Sequence, residues 1–314
     1  MKVIFICRLH QIELTEKISG FDRIDDELSV TNDEAYIKKL LGNADISIIG
    51  KMEYEDITSG NLVAFSIDEV QDDASTKSFL VEKLYRLQSF ILSIWLSFDN
   101  AINFELGFLF VTRSNGIIIE SNLLACKFSN SKGAINRVEI SRSKFAEIRK
   151  FYREMIQFDS TRSSTKISKN YDRIERALYM VSSARSENDL GLKIANYCTV
   201  LESLLSTSQN ELAHQVAERL AFFIGKTPDN KIEIYRTAKK AYNIRSKVVH
   251  GDTISTSDIQ NLEIISEFCD NAIRDIFKLL YSSKNLYEIV NNSKALDEFM
   301  IEIILGKRKI DDFA

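Results

Sequence analysis

The 314-residue chain has three histidines, His10, His214 and His250, and one of them has a chemically useful neighbour. His250 follows Arg245 by five residues in the segment AYNIRSKVVHGD, directly before Gly251. Five residues of α-helix set two side chains about 140° apart around the axis and ~7.5 Å apart along it, so one shallow cleft can receive both. Arginine offers a planar, permanently charged fork for phosphate oxygens, and histidine moves protons on and off oxygens near neutral pH. Together they suit cleavage of a phosphodiester. The glycine stop places His250 in the last helical turn, where the partial negative charge of the helix end favours imidazolium, the form that donates a proton.

The residues leading up to this pair are basic. Positions 231–250 hold Lys231, Arg236, Lys239, Lys240, Arg245 and Lys247 against Glu233 alone, a local charge of +5 in a chain whose formal total is −4. Such a stripe attracts a polyanion, and Arg236, Lys239, Lys240 and Lys247 are the candidate side chains for tracking a phosphate backbone. A second run, 142–176, is also +5. Competing chemistries lack their residues. There is no GxGxxG, GxxxxGK[ST], HExxH or GxSxG, and the four cysteines (Cys7, Cys126, Cys198, Cys269) form no CxxC and have no histidine at ligand spacing. No metal or other cofactor is expected, and the thiols are expected to be buried and free.

The surroundings of Arg245 and His250 carry a family resemblance. LESLL at 201–205, AERLA at 217–221 and YNIRSKVVHG at 242–251 occur in the order and spacing of the ALExLL, ERLA and YxxRSxxVHG elements of the HEPN domain, in its ApeA-like branch. The stretch that resembles HEPN covers about 165–285, roughly two fifths of the chain, and leaves the N-terminal part unassigned. The resemblance implies an antiparallel helical bundle that pairs about a twofold axis. It implies a metal-independent RNA endonuclease of a bacterial defence or toxin system. Arg245 would then hold the scissile phosphate and its transition state. His250 would act as general acid or base on the 2′-hydroxyl or the leaving oxygen, leaving a 2′,3′-cyclic phosphate. Glu202, Arg219, Tyr242 and Ser246 would be supporting residues, with Glu202 and Arg219 expected to pair with each other or to orient the motif. Ser246 stands where many nuclease members have Asn, Asp or His directly after the arginine. That difference favours the alternative reading, a non-catalytic RNA-binding or protein-interaction module that uses the bundle as a dimer scaffold.

The elements that must position these residues are legible from patterning. Eleven glycines and one proline, Pro228, are too few turn-formers for a many-turned sandwich or barrel. Positions 2–8, 46–52 and 62–70 are β-branched or aromatic runs bounded by Gly, Asn and Asp, and are expected to be strands. The spacing predicts helices over 33–41 and over 75–98, the latter with Leu80, Leu84, Leu87, Ile91, Ile94 and Phe98 on one face. A hairpin over 102–128, a strand at 138–140 and a helix over 144–158 complete the N-terminal part, with the acidic 22–27 taken as a solvated loop.

The segment DSTRSSTKISKN, 159–170, has one apolar residue in twelve and is the expected linker. Helices are predicted beyond it at 171–184, 189–205, 211–224, 228–250 and 257–281, with a last one at 294–305. Thr227 and Pro228 start the 228–250 helix, Gly225 and Gly251 act as stops, and Ser257 with Gln260 reads as a capping box.

The expected fold is therefore an α+β N-terminal domain at 1–158, a sensor or regulatory unit that takes a partner or ligand, followed by an all-α antiparallel HEPN-like bundle at 171–314. Charge divides the same way. The first 80 residues carry eight cations against sixteen carboxylates, which leaves the remainder at +4. The N-terminal apolar run, Val3 to Cys7, is shorter than the roughly 7–15 residues of a signal-peptide core, and the most apolar stretch, 90–98, is far short of the ~20 residues of a membrane span. A cytoplasmic homodimer acting on RNA, with no membrane association, is expected.

Overall fold

A computed structural model describes residues 1–42, 46–114, 116–124, 127–158 and 171–313. The expected linker at 159–170 and Cys126 lie outside the described residues. The chain divides into an N-terminal antiparallel sheet region and a C-terminal helical region. The first compact unit comprises Met1–Trp95, Asn100–Phe128 and Ile135–Ile156. The second takes in Leu96–Asp99 and Ser129–Ala134 together with Gln157–Ala314.

In the first unit β1 (Lys2–Arg8) is central. Val3, Phe5, Ile6 and Cys7 have no solvent exposure, as a strand covered on both faces requires. The six-stranded sheet runs β3-β4-β5-β1-β6-β7, with every pair antiparallel: β3 (Asp22–Arg23), β4 (Ser29–Thr31), β5 (Val63–Glu69), β6 (Leu106–Arg113) and β7 (Gly116–Leu123). β2 (Ile12–Leu14) pairs in parallel with β8 (Val138–Ile140). Because side chains alternate across a strand, Ile6, Val63, Phe65, Phe108 and Phe110 share one core with residues of α1 (Glu34–Leu41), α2 (Ile46–Ile49) and α3 (Lys51–Thr58). On the other face Gly107 of β6 lies against Leu84 and Phe5, which places α4 (Asp73–Ser97) there, and Phe90 of α4 packs edge-on against Phe145 and Tyr152 of α5 (Arg142–Met155).

Two expectations fail in this unit, the second in part. The run 46–52 is not a strand but α2 and the start of α3, because Gly50 at φ 93° turns the chain and Ile49 reaches the core from a helix. A four-residue apolar run cannot distinguish strand from helix by periodicity. Residues 22–27 are a solvated loop only in part: 24–27 is a bend with Asp26 exposed, but the flanking carboxylates are engaged. Asp22 and Arg23 form β3, Asp25 is buried and ion-paired to Arg86, and Asp22 takes Arg142 and Arg149. Asp22, Asp25 and Glu27 are thus met by cations of α4 and α5, while Asp26 faces solvent.

The second unit is helical: α6 (Arg173–Arg185), α7 (Leu190–Leu205), α8 (Leu212–Ile224), α9 (Pro228–His250), α10 (Thr256–Ile259), α11 (Leu262–Ser282), α12 (Lys284–Asn291) and α13 (Ser293–Ile304). Gly191 lies beside Val248 and the Tyr242 hydroxyl reaches the Cys198 carbonyl, so α7 and α9 run antiparallel; His214–Tyr235 and Phe222–Lys231 contacts make α8 and α9 antiparallel as well. The expected 257–281 helix is two elements. Ser255 rather than Ser257 is the N-cap of α10, accepting from Asp258 N–H, and α11 starts separately after Asn261. The helix α12 was not expected.

Residues 129–134 fold as part of this helical unit. Ser129 donates to the carbonyls of Arg185 and Glu187, Ser131 bonds Asp99, and Ser266 of α11 donates to the Ser131 carbonyl. Gly133 adopts φ +73°, and a Cβ there would lie 2.4 Å from the Asn188 carbonyl oxygen. Gly133→Ala is expected to cost roughly 2–4 kcal/mol, combining left-handed strain with overpacking, read as a lowered urea midpoint; a midpoint equal to wild type would show the loop is not held as described.

Candidate active site

Helix α9 is built by strong local signals. Thr227 accepts from Asn230 N–H, Pro228 occupies the first turn, and Gly251 at φ 74° ends the helix with Asp252 N–H bonded to the Lys247 carbonyl. Twenty-three residues long, it offers two distinct rows. Ile234, Ala238 and Ala241 are buried, and Arg245 continues their row one turn further. Arg236, Lys240, Asn243, Lys247 and His250 recur at spacings of four and three on the opposite side, where Arg236, Lys240, Asn243 and His250 are exposed and Lys247 is half-buried.

The 140° between Arg245 and His250 is thus a division between an inward and an outward side of one helix. The two lie on consecutive turns at its C-terminal end.

Arg245 reaches across to α7. Its Nη2 lies 3.3 Å from Glu202 Oε1 and 3.4 Å from Oε2. Both are long for a charge-assisted bond of about 2.7–2.9 Å, and the pairing through one nitrogen leaves the bidentate fork unused. Arg245 Nε is buried with no hydrogen-bond partner among the described residues, while the side chain keeps 30% of its surface in solvent. Burial pushes the Glu202 carboxyl above its ordinary range, offset in part by Arg245 and by the Tyr242 hydroxyl. Burial likewise raises Tyr242, with Cys198 and Glu202 adding to the shift.

The expected Glu202–Arg219 pair is absent among the described residues. Arg219 is buried, donates to the Leu205 carbonyl at 2.8 Å and pairs with Asp297 of α13, so it closes the C-terminal end of α7. Its partner lies 78 residues away, beyond the reach of any local motif. Ser246 is exposed and Lys239 half-buried. Lys247 is held at 2.7 Å by Asp258 of α10, which leaves Arg236 and Lys240 as the exposed cations of the outward row.

His214 bonds the Tyr235 hydroxyl at 2.9 Å, a contact between α8 and α9. His10, in the first unit, is half-buried, and burial together with Arg8 lowers its affinity for a proton. A groove of about 410 Å³ between α8, α9 and α11, lined by Ile224, Ile234, Phe268, Glu267 and Asp275 among others, includes neither Arg245 nor His250.

Among the described residues no group of His, Cys, Asp and Glu is placed to hold a metal ion, and no helix is long and apolar enough to cross a membrane. Cys198 and Cys269 are buried free thiols, and Cys7 is buried. No family model matches the chain, and neither does any curated protein or solved structure.

Proposed function

We propose that the helical unit is an RNA endonuclease of the HEPN type, cleaving by attack of the ribose 2′-hydroxyl on the adjacent phosphate. The observation that carries this reading is the state of Arg245: a side chain partly open to solvent, held to Glu202 only through long contacts of one nitrogen, on consecutive turns of the same helix as an exposed histidine. A phosphate oxygen that replaced the Glu202 carboxylate would find a planar positive fork, and charge developing in the transition state would be stabilised there. His250 is free to transfer the proton. The exposed cations Arg236 and Lys240 on the outward row would hold the RNA backbone. By the same resemblance two protomers would pair through the bundle in the cytoplasm, in a defence or toxin-type system, with the first unit taking a regulatory partner or ligand.

A single-stranded RNA incubated with the protein in the presence of a chelator is expected to be cut to products ending in a 2′,3′-cyclic phosphate. Arg245→Ala and His250→Ala are each expected to lower the rate by ~10² to 10³. Equal cleavage by all three proteins would remove the assignment of these residues. The alternative, a non-catalytic RNA-binding or interaction module, is favoured by one contact, the engagement of Arg245 with the Glu202 carboxylate. It predicts RNA retention without cleavage.

A further inference from the structure

Arg173, at the first position of α6, is an arginine with too few acceptors. Its Nη2 bonds the Ser293 hydroxyl on α13, while its Nη1 is buried with no hydrogen-bond partner among the described residues. Two more guanidiniums stand close. Arg176 lies three residues on, along the same helix face, and donates to the Tyr171 carbonyl at 2.6 Å. Arg219 is bound to Asp297, four residues after Ser293 on α13, so Arg173 and Arg219 are anchored one helical turn apart on a single helix. The charges that bear on Arg173 are those of Arg176 and Arg219, which together with burial depress its hold on its own proton.

The carboxylates nearby are committed elsewhere. Asp172 accepts from Glu175 N–H, the Tyr287 hydroxyl and the Asn291 amide. Glu175 accepts from Asp172 N–H, and Asp297 accepts from Arg219 and from Thr207 Oγ1. The first-turn N–H groups of Ile174 and Glu175 in α6 and of Lys294 and Ala295 in α13 are also taken, by Asn291, Asp172 and Asn292. A half-buried cluster of like charges with an orphan N–H is unfavourable unless an anion completes it. The group that fits is a tetrahedral oxyanion with several acceptor oxygens, which can take two or three guanidinium edges at once.

We propose that Arg173, Arg176 and Arg219 form a phosphate-binding site at the junction of α6 and α13, separate from Arg245 and His250. The phosphate belongs either to a free polyphosphate compound or to an RNA backbone.

Titration calorimetry on the full chain, with inorganic pyrophosphate in one arm and a 12-nucleotide single-stranded RNA in the other, tests this. Pyrophosphate binding that weakens at least fivefold in Arg173→Ala and in Arg176→Gln supports the site and a free ligand. RNA binding alone weakened by the same variants supports the site and a backbone phosphate. Arg173→Lys, which retains one charge and the stem, is expected to fall between wild type and alanine, and serves if the alanine protein fails to fold. Unchanged affinity for both probes in Arg176→Gln and Arg173→Lys overturns the proposal. So does equal weakening of pyrophosphate binding by an Arg236→Ala, Lys240→Ala double variant, which would place that anion on α9. Arg245→Ala is expected to leave pyrophosphate binding intact, so loss of the cleavage reading would not remove this site.

Discussion

Asp270→Ala is expected to destabilise the helical unit by about 3–5 kcal/mol, the usual consequence of removing one member of a buried ion pair and stranding the others. Asp270 has no solvent exposure, accepts the Tyr197 hydroxyl at 2.8 Å and pairs with Arg274 at 2.8 Å. Lys193, equally buried, donates to the Ala184 carbonyl at 2.9 Å and is drawn electrostatically toward Asp270 and Asp99. Burial and the proximity of Asp270 raise Asp99, which in turn holds the Ser131 backbone and hydroxyl. One side chain thus stands among α7, α11 and the 96–99 and 129–134 segments. A melting temperature lower by roughly 6–20 °C is expected, since 1 kcal/mol moves a unit of this size by about 2–4 °C. Asp270→Asn, which keeps an acceptor without the charge, is expected to fall between the two. An alanine protein within about 1 kcal/mol of wild type would show that the network is not structural.

The second large effect is alkaline. Burial raises the Cys198 thiol and pushes Cys269 up to about 12, and it raises the hydroxyls of Tyr197, Tyr242 and Tyr287. The unfolded chain therefore releases these protons first, above the ordinary 9.0 and 10.0 of free thiols and phenols, and stability falls as pH rises through that range. Lys193 acts in the opposite sense. Burial brings it from 10.5 down to about 8, so its cost to the folded state is fully present below pH 8 and is relieved between 8 and 10.5.

At ~1.4 kcal/mol per proton per pH unit, the opposing contributions are expected to hold stability nearly level from pH 8 to 9. Stability then falls by roughly 4 kcal/mol by pH 10.5. Denaturant midpoints across pH 7–10.5 measure this directly. Lys193→Met removes the opposing contribution, so its decline should begin near pH 8. A wild-type curve that stays level to pH 10.5 would contradict the burial of these thiols and phenols.

The first-unit elements show where local pattern sufficed and where it failed. The 75–98 helix was legible because six apolar residues repeat at three and four, and it forms as α4. The 46–52 run was misread because β-branched residues over so short a length carry no period, and Gly50 decides the turn. The acidic 22–27 segment was misread in part, for a different reason. Solvation and pairing look alike in sequence, and Arg86, Arg142 and Arg149, the cations that meet it, come from 60 to 130 positions away.

In the candidate site the division follows the same line. Sequence by itself determined that Arg245 and His250 share one helix, five residues apart, because Thr227, Pro228 and Gly251 act on backbone geometry within a turn of where they stand. It also placed the helix-ending glycine beside the histidine. Only the tertiary structure decided which side of α9 faces the bundle. That choice turned Arg245 inward to Glu202, left His250 outside, tied Lys247 to Asp258 and sent Arg219 to Asp297 instead of Glu202. Capping is a contact between near neighbours and is written in local residue types. The partner of a buried charge depends on which helices pack together, and that follows from the burial of apolar faces summed over the whole unit.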